Sequence, residues 1–103
     1  MASSKNYLEY VLEQLSELND ITYRAMMGEF IIYYQGRVIG GIYDDRFLVK
    51  NTKTARALMP DVSLELPYEG AKEMLLADVD RRELLCRMVQ AVADDLPMPK
   101  KKR

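Results

Sequence analysis

The sequence predicts an α+β domain, a two-layer α/β sandwich in which helices cover one antiparallel sheet in the order α-β-β-β-β-α-β-α. Three observations predict it. Leucines recur at helical spacing near both ends of the chain. A block rich in Tyr, Ile, Val and Phe runs from Ile21 to Lys50. Short connections interrupt that block, each tight enough to make its neighbours antiparallel.

In the first segment, Leu8, Val11, Leu12, Leu15 and Leu18 form one apolar stripe of a helix over residues 4–18, with Glu9, Glu13 and Glu17 on another face. Ser3 or Ser4 can cap it by accepting a bond from an orphan backbone N–H, and Asn19-Asp20 breaks the pattern. Strands follow near residues 22–27, 30–34, 37–43 and 46–50, since β-branched and aromatic residues suit a pleated, half-buried surface. Their connections read as Gly28-Glu29, Gln35-Gly36 and Asp44-Asp45, and Gly36 can supply a positive φ. Gly40-Gly41 inside the third strand suggests a bulge, or a helix packed close over the sheet. Residues 51–60 read as a short helix capped by Thr52 or Thr54 and ended by Pro60. Residues 61–71, with Pro67 and Gly70, read as mostly loop; residues 72–79 fit either a strand or a helix, and the Pro67/Gly70 break before them and the Asp-rich cap after them favour a fifth strand. The last helix starts at Asp78 or Asp80, buries Leu84, Leu85, Met88, Val89, Val92 and Leu96, and ends at Pro97. Residues 1–96 thus form one domain, and residues 97–103, "PMPKKKR", a flexible basic tail.

Composition narrows the chemistry. The 103 residues suffice for a core without disulfides or metal. No apolar run reaches the roughly 18–20 residues of a membrane span, and the first residues lack the apolar core of a secretory signal. The single cysteine, Cys86, excludes an intrachain disulfide and points to the cytoplasm. Because the chain contains no histidine, Ser-His-Asp and Cys-His catalysis and the common zinc sites are excluded. No catalytic, cofactor-binding or metal-ligating set emerges, and the expectation is a non-enzymatic protein. Lys100, Lys101, Lys102 and Arg103 supply four of the 15 basic side chains; the remaining 11 face 16 acidic ones, a net of −5. An acidic body with a short basic tail is poorly suited to gripping a duplex, where affinity comes largely from neutralised phosphates.

Ordered blocks run through the strand region: Tyr23-Arg24-Ala25-Met26-Met27-Gly28, then Tyr33-Tyr34-Gln35-Gly36, then Asp44-Asp45-Arg46-Phe47-Leu48-Val49-Lys50, with "ELPYEG" at residues 65–70. In this order and spacing the chain resembles the N-terminal domain of the TfoX/Sxy family of competence regulators, from the first helix to about Leu96. Met27 stands where that family usually has Phe, and Glu29-Phe30-Ile31 replace its Gly-rich continuation. The resemblance implies a bacterial, secretion-chaperone-like sandwich, a homodimer, and a role in regulation through a protein partner. The second domain of full-length regulators has no counterpart in these residues.

Each candidate residue has a plain structural alternative. Tyr23, Arg24, Met27 and Gly28 read either as a partner surface, with Arg24 as a carboxylate-binding fork, or as core residues entering a Gly-dependent turn. Asp44 and Asp45, near Lys50, read as a cation or proton site or as hairpin turn chemistry. Cys86 reads as a reactive thiol near Arg82 and Arg87, or as a buried or interface thiol. Tyr7, Tyr10, Tyr23, Tyr33, Tyr34, Tyr43 and Tyr68, with Arg24, Arg37 and Arg46, can form a stacking platform for single-stranded nucleic acid or ordinary sheet packing. The expected interaction surface is Tyr23, Arg24, Met27, Gly28, Arg37, Asp45, Arg46 and Lys50. The alternative function is nucleic-acid binding assisted by Lys100 to Arg103.

Overall fold

A computed structural model describes residues 4–96 of the chain. The first helix, α1 (Lys5–Gln14), starts where Ser4 Oγ accepts the Tyr7 N–H at 3.1 Å. It is shorter than the leucine stripe, because Leu15 already leaves helical geometry. Leu8, Val11 and Leu15 are buried, and Leu12 and Leu18 pack at their margin.

Four strands follow as a meander: β1 (Ile21–Met26), β2 (Glu29–Tyr34), β3 (Arg37–Ile42) and β4 (Phe47–Val49). All three connections are two-residue turns with positive φ at both central residues: 51° and 86° at Met27-Gly28, 53° and 79° at Gln35-Gly36, 54° and 56° at Asp44-Asp45. This is the type I′ arrangement, whose twist matches that of the flanking strands. The first turn therefore lies one residue earlier than the Gly28-Glu29 expected from sequence. Gly28 takes the second turn position rather than the first, and Met26 pairs directly with Glu29.

Helix α2 (Lys53–Leu58) follows, with Thr52 Oγ1 accepting the Ala55 N–H. The short strands β5 (Leu64–Glu65) and β6 (Met74–Leu76) precede helix α3 (Arg82–Asp95). The loop expected over residues 61–71 thus contains a strand, and the observed order is α-β-β-β-β-α-β-β-α. The sheet is antiparallel throughout in the order β1-β2-β3-β4-β6-β5. Helix α3 begins after Arg81 without a side-chain cap, later than the aspartates predict. Asp78 instead accepts the Asp80 N–H and pairs with Arg81 at 3.1 Å, closing a turn ahead of the helix.

The register sorts the side chains between faces. Phe30, Ile32 and Tyr34 share the helix side with Ile42, Phe47, Val49 and Leu75, where Val11, Leu85, Met88, Val89 and Val92 complete the core. Ile31, Gly41, Leu48 and Leu76 are aligned on the opposite face, and Leu48 is buried there too. A bulge interrupts β3 at Ile39, between the Tyr33–Val38 and Ile32–Gly40 pairs. A Cβ on Gly40 would collide with the Leu48 carbonyl and lie 2.8 Å from Val49 Cα. Gly40 thus serves a close approach of β4 backbone, not of a helix. No helix among the described residues is long and apolar enough to cross a membrane.

Candidate interaction surface

The helices pack chiefly on β2 and β3, while β1 packs chiefly on β2. The β1–β2 hairpin therefore runs along the margin of the sheet as an arm whose outer strand, β1, lies largely outside the helical layer. Ile21 is half-buried at its base, and every later residue of β1 is exposed. Tyr23 is 46% exposed, Met26 48% and Met27 96%. Neither methionine is the core residue that its hydrophobicity suggested. Met27 occupies the left-handed region at the tip of a tight turn, and its side chain points away from both layers.

Backbone geometry adds a second feature. In a two-residue hairpin the closing pair, here Met26 and Glu29, exchanges both backbone hydrogen bonds, and bonded pairs then alternate. Thr22, Arg24 and Met26 therefore bond to β2, whereas Ile21, Tyr23 and Ala25 aim their N–H and C=O groups outward. This outer edge has no neighbouring strand among the described residues. Its sequence, Ile-Thr-Tyr-Arg-Ala-Met, contains one charge, no proline and no lysine, and its register with β2 is unbroken. Soluble proteins usually blunt such edges with those devices.

The other expected surface residues fall elsewhere. Arg37, at the start of β3, donates to the Ala93 carbonyl of α3 at 2.6 Å and ties sheet to helix. Asp45 Oδ1 accepts the Ser4 N–H at 2.7 Å, holding the start of α1 to the β3–β4 turn. Arg46 pairs with Glu65 at 2.6 Å and donates to the Leu66 carbonyl, fastening β5 beside the same turn. These three residues do structural work. Lys50 lines a separate open groove of about 770 Å³ with Val38, Tyr43, Tyr68, Lys72 and Met74. Tyr43 and Tyr68 meet edge to face there, 6.3 Å between centroids. Burial, with Tyr68 and Glu29 nearby, raises the Tyr43 hydroxyl above its ordinary range. Sequence reading missed this groove, because Tyr68 reaches Tyr43 only through the fold. Of the expected surface, Tyr23, Arg24, Met27 and Gly28 sit together on the β1–β2 arm, while Asp45 and Arg46 share the β3–β4 turn.

The seven tyrosines do not assemble into one platform: Tyr34 packs against the core, Tyr10 donates to Asp80 at 2.6 Å, and Tyr23 packs on Phe30. Asp44 and Asp45 form the turn, as their residue type favours. Cys86 is buried, and its thiol donates toward the Gln14 carbonyl at 3.5 Å. Burial first, and the Glu17 charge second, push its pKa up, opposite to what a reactive thiol needs. Among the described residues no three His, Cys, Asp or Glu side chains converge on a metal site. Lys100, Lys101, Lys102 and Arg103, with the rest of the expected tail, lie outside the described residues.

No protein-family model matches the chain. It is 29% identical over 105 residues to an uncharacterized 12.7 kDa protein in the trpE 5′ region of Spirochaeta aurantia, an alignment spanning all of this chain and 91% of that protein.

Proposed function

We propose that this chain is a non-enzymatic regulatory or protein-interaction module of the TfoX N-terminal type, recognising a protein partner through the β1–β2 arm. The observation that carries the reading is an edge strand exposed on both faces, with outward backbone groups and a methionine tip. Extended partners add to such an edge through main-chain hydrogen bonds, and flanking side chains set specificity. Arg24 supplies a fork for a carboxylate, and Met26 and Met27 supply adaptable apolar contact.

Affinity capture from cells of the source organism tests this with the wild-type chain, a Met27→Asp variant and a Glu9→Gln control on the exposed side of α1. The reading expects one protein, which can be the chain itself, recovered in stoichiometric amount by wild type and control and lost with Met27→Asp. Recovery unaffected by Met27→Asp overturns the assignment to the arm. A salt-sensitive DNA affinity that disappears on deleting Lys100 to Arg103 would replace it with the nucleic-acid reading.

A further inference from the structure

The geometry points to a second copy of this chain as the occupant of the β1 edge, paired antiparallel about a two-fold axis through Tyr23. The inference rests on the arm being the interaction surface and names its partner.

The backbone restricts the registers. Only Ile21, Tyr23 and Ala25 direct hydrogen-bonding groups outward, so bonded pairs between two β1 strands must join members of this set. Centring the axis on Tyr23 pairs Tyr23 with its own counterpart and Ile21 with Ala25 at both ends, so all three residues of each copy are used. Centring it on Thr22 leaves Ala25 of each copy without a partner inside the strand. Centring it on Arg24 leaves Ile21 so, and also sets two guanidinium groups directly opposite, an unfavourable like-charge pair.

Side chains agree with the Tyr23-centred register. Arg24 then faces the other copy's Thr22, so the two guanidinium groups do not lie directly opposite each other. The paired tyrosines form an aromatic cross-strand contact on the helix side, continuous with Ile21 and Phe30. The register also carries the Met27 tip of one copy toward Asn19 of the other, next to Leu18, while Met26 lies on the opposite face with Arg24. A cleft of about 500 Å³ opens there, lined by Leu12, Leu15, Leu18 and Ile21 together with Ser16, Thr22 and Tyr23. An exposed apolar tip and an apolar cleft thus occur on one chain, toward opposite ends of the edge that a single two-fold joins. That reciprocity favours a second copy over an unrelated strand, and an isologous interface is the commonest route to a closed dimer.

The test combines solution mass with site-directed cross-linking of the full chain. Sedimentation equilibrium should show a dimer for the wild type. Ala25→Pro removes an outward N–H that the β1–β2 ladder does not use, and should give a monomer with an unchanged circular dichroism spectrum. Tyr23→Cys places two thiols at a bonded pair, about 5.5 Å between Cα atoms, within disulfide reach. Mild oxidation should cross-link that variant, while Thr22→Cys and Arg24→Cys, each offset along the strand from its own counterpart, react roughly tenfold more slowly. Three results would overturn the proposal: a monomeric wild type, a dimer that survives Ala25→Pro, or cross-linking as fast at residues 22 and 24 as at 23. If the wild type is monomeric but a different protein is captured in a Met27-dependent way, the partner's identity fails and the arm stands. If neither association nor Met27-dependent capture occurs, both fail.

Discussion

Replacing Met27 with Asn separates folding from association. Met27 occupies the first central position of a type I′ turn at φ 51°, where Asn is favoured and a longer side chain is strained by roughly 1 kcal/mol. The side chain is 96% exposed, so its removal forfeits almost no burial within one copy. The isolated fold should therefore gain about 1 kcal/mol, equivalent to a rise of about 4–8 °C in Tm for a domain of this size. Association should respond oppositely. Losing roughly 1.4 kcal/mol of methionine contact at the neighbouring cleft weakens it about tenfold. Thermal melts over a range of protein concentrations distinguish the two effects. The wild-type Tm should climb with concentration, because association stabilises only the folded state. The Met27→Asn variant should melt higher than wild type at high dilution and depend less on concentration. A lower Tm at high dilution would refute the reasoning, since core methionines cost about 2–5 kcal/mol when truncated and tip methionines do not.

Other expectations follow from the same contacts. Gly40→Ala drives a Cβ into β4 backbone that cannot rotate away; it should cost about 2–3 kcal/mol and lower Tm by roughly 10–20 °C, and an unchanged melt would contradict the close approach. Arg46→Ala removes a partly exposed ion pair and the bond to Leu66, so about 1–2 kcal/mol is lost. Amide exchange across residues 64–76 should then quicken, and exchange rates like those of wild type would show that Arg46 does not hold β5. At neutral pH the raised pKa keeps the Cys86 thiol protonated as well as buried. Alkylation should be roughly 100-fold slower in the native protein than in urea, and equal rates would place the thiol at the surface.

Most of the architecture is legible in local chemistry. Ser4, Thr52, the leucine stripe and the connections at Gln35-Gly36 and Asp44-Asp45 each act through neighbours in sequence, so periodicity and turn preference suffice to find them. The β5 strand has only Leu64 and Glu65, too few residues to display an alternation, and it is held by Arg46 from 19 residues away. The Met27 error has a different cause. Methionine has no turn preference, so its hydrophobicity suggested burial, and shifting the turn by one residue moves Met27 from the end of a strand into the turn itself, where its side chain faces solvent. Tyr23, Arg24, Met27 and Gly28 could be grouped from sequence because one hairpin carries them. That Arg37, Asp45 and Arg46 serve as internal ties emerges only from their contacts with Ala93, Ser4 and Glu65.

Residue-resolved amide exchange of the wild-type chain at increasing protein concentration tests the role of the β1 edge most directly. The N–H groups of Thr22, Arg24 and Met26 point to β2 and should be protected at every concentration. Those of Ile21, Tyr23 and Ala25 point outward, and should exchange fast in dilute solution and slow progressively as concentration rises. Odd-numbered amides that exchange fast at all concentrations would contradict self-pairing at this edge. Uniform slowing of odd and even positions would place the association elsewhere on the molecule.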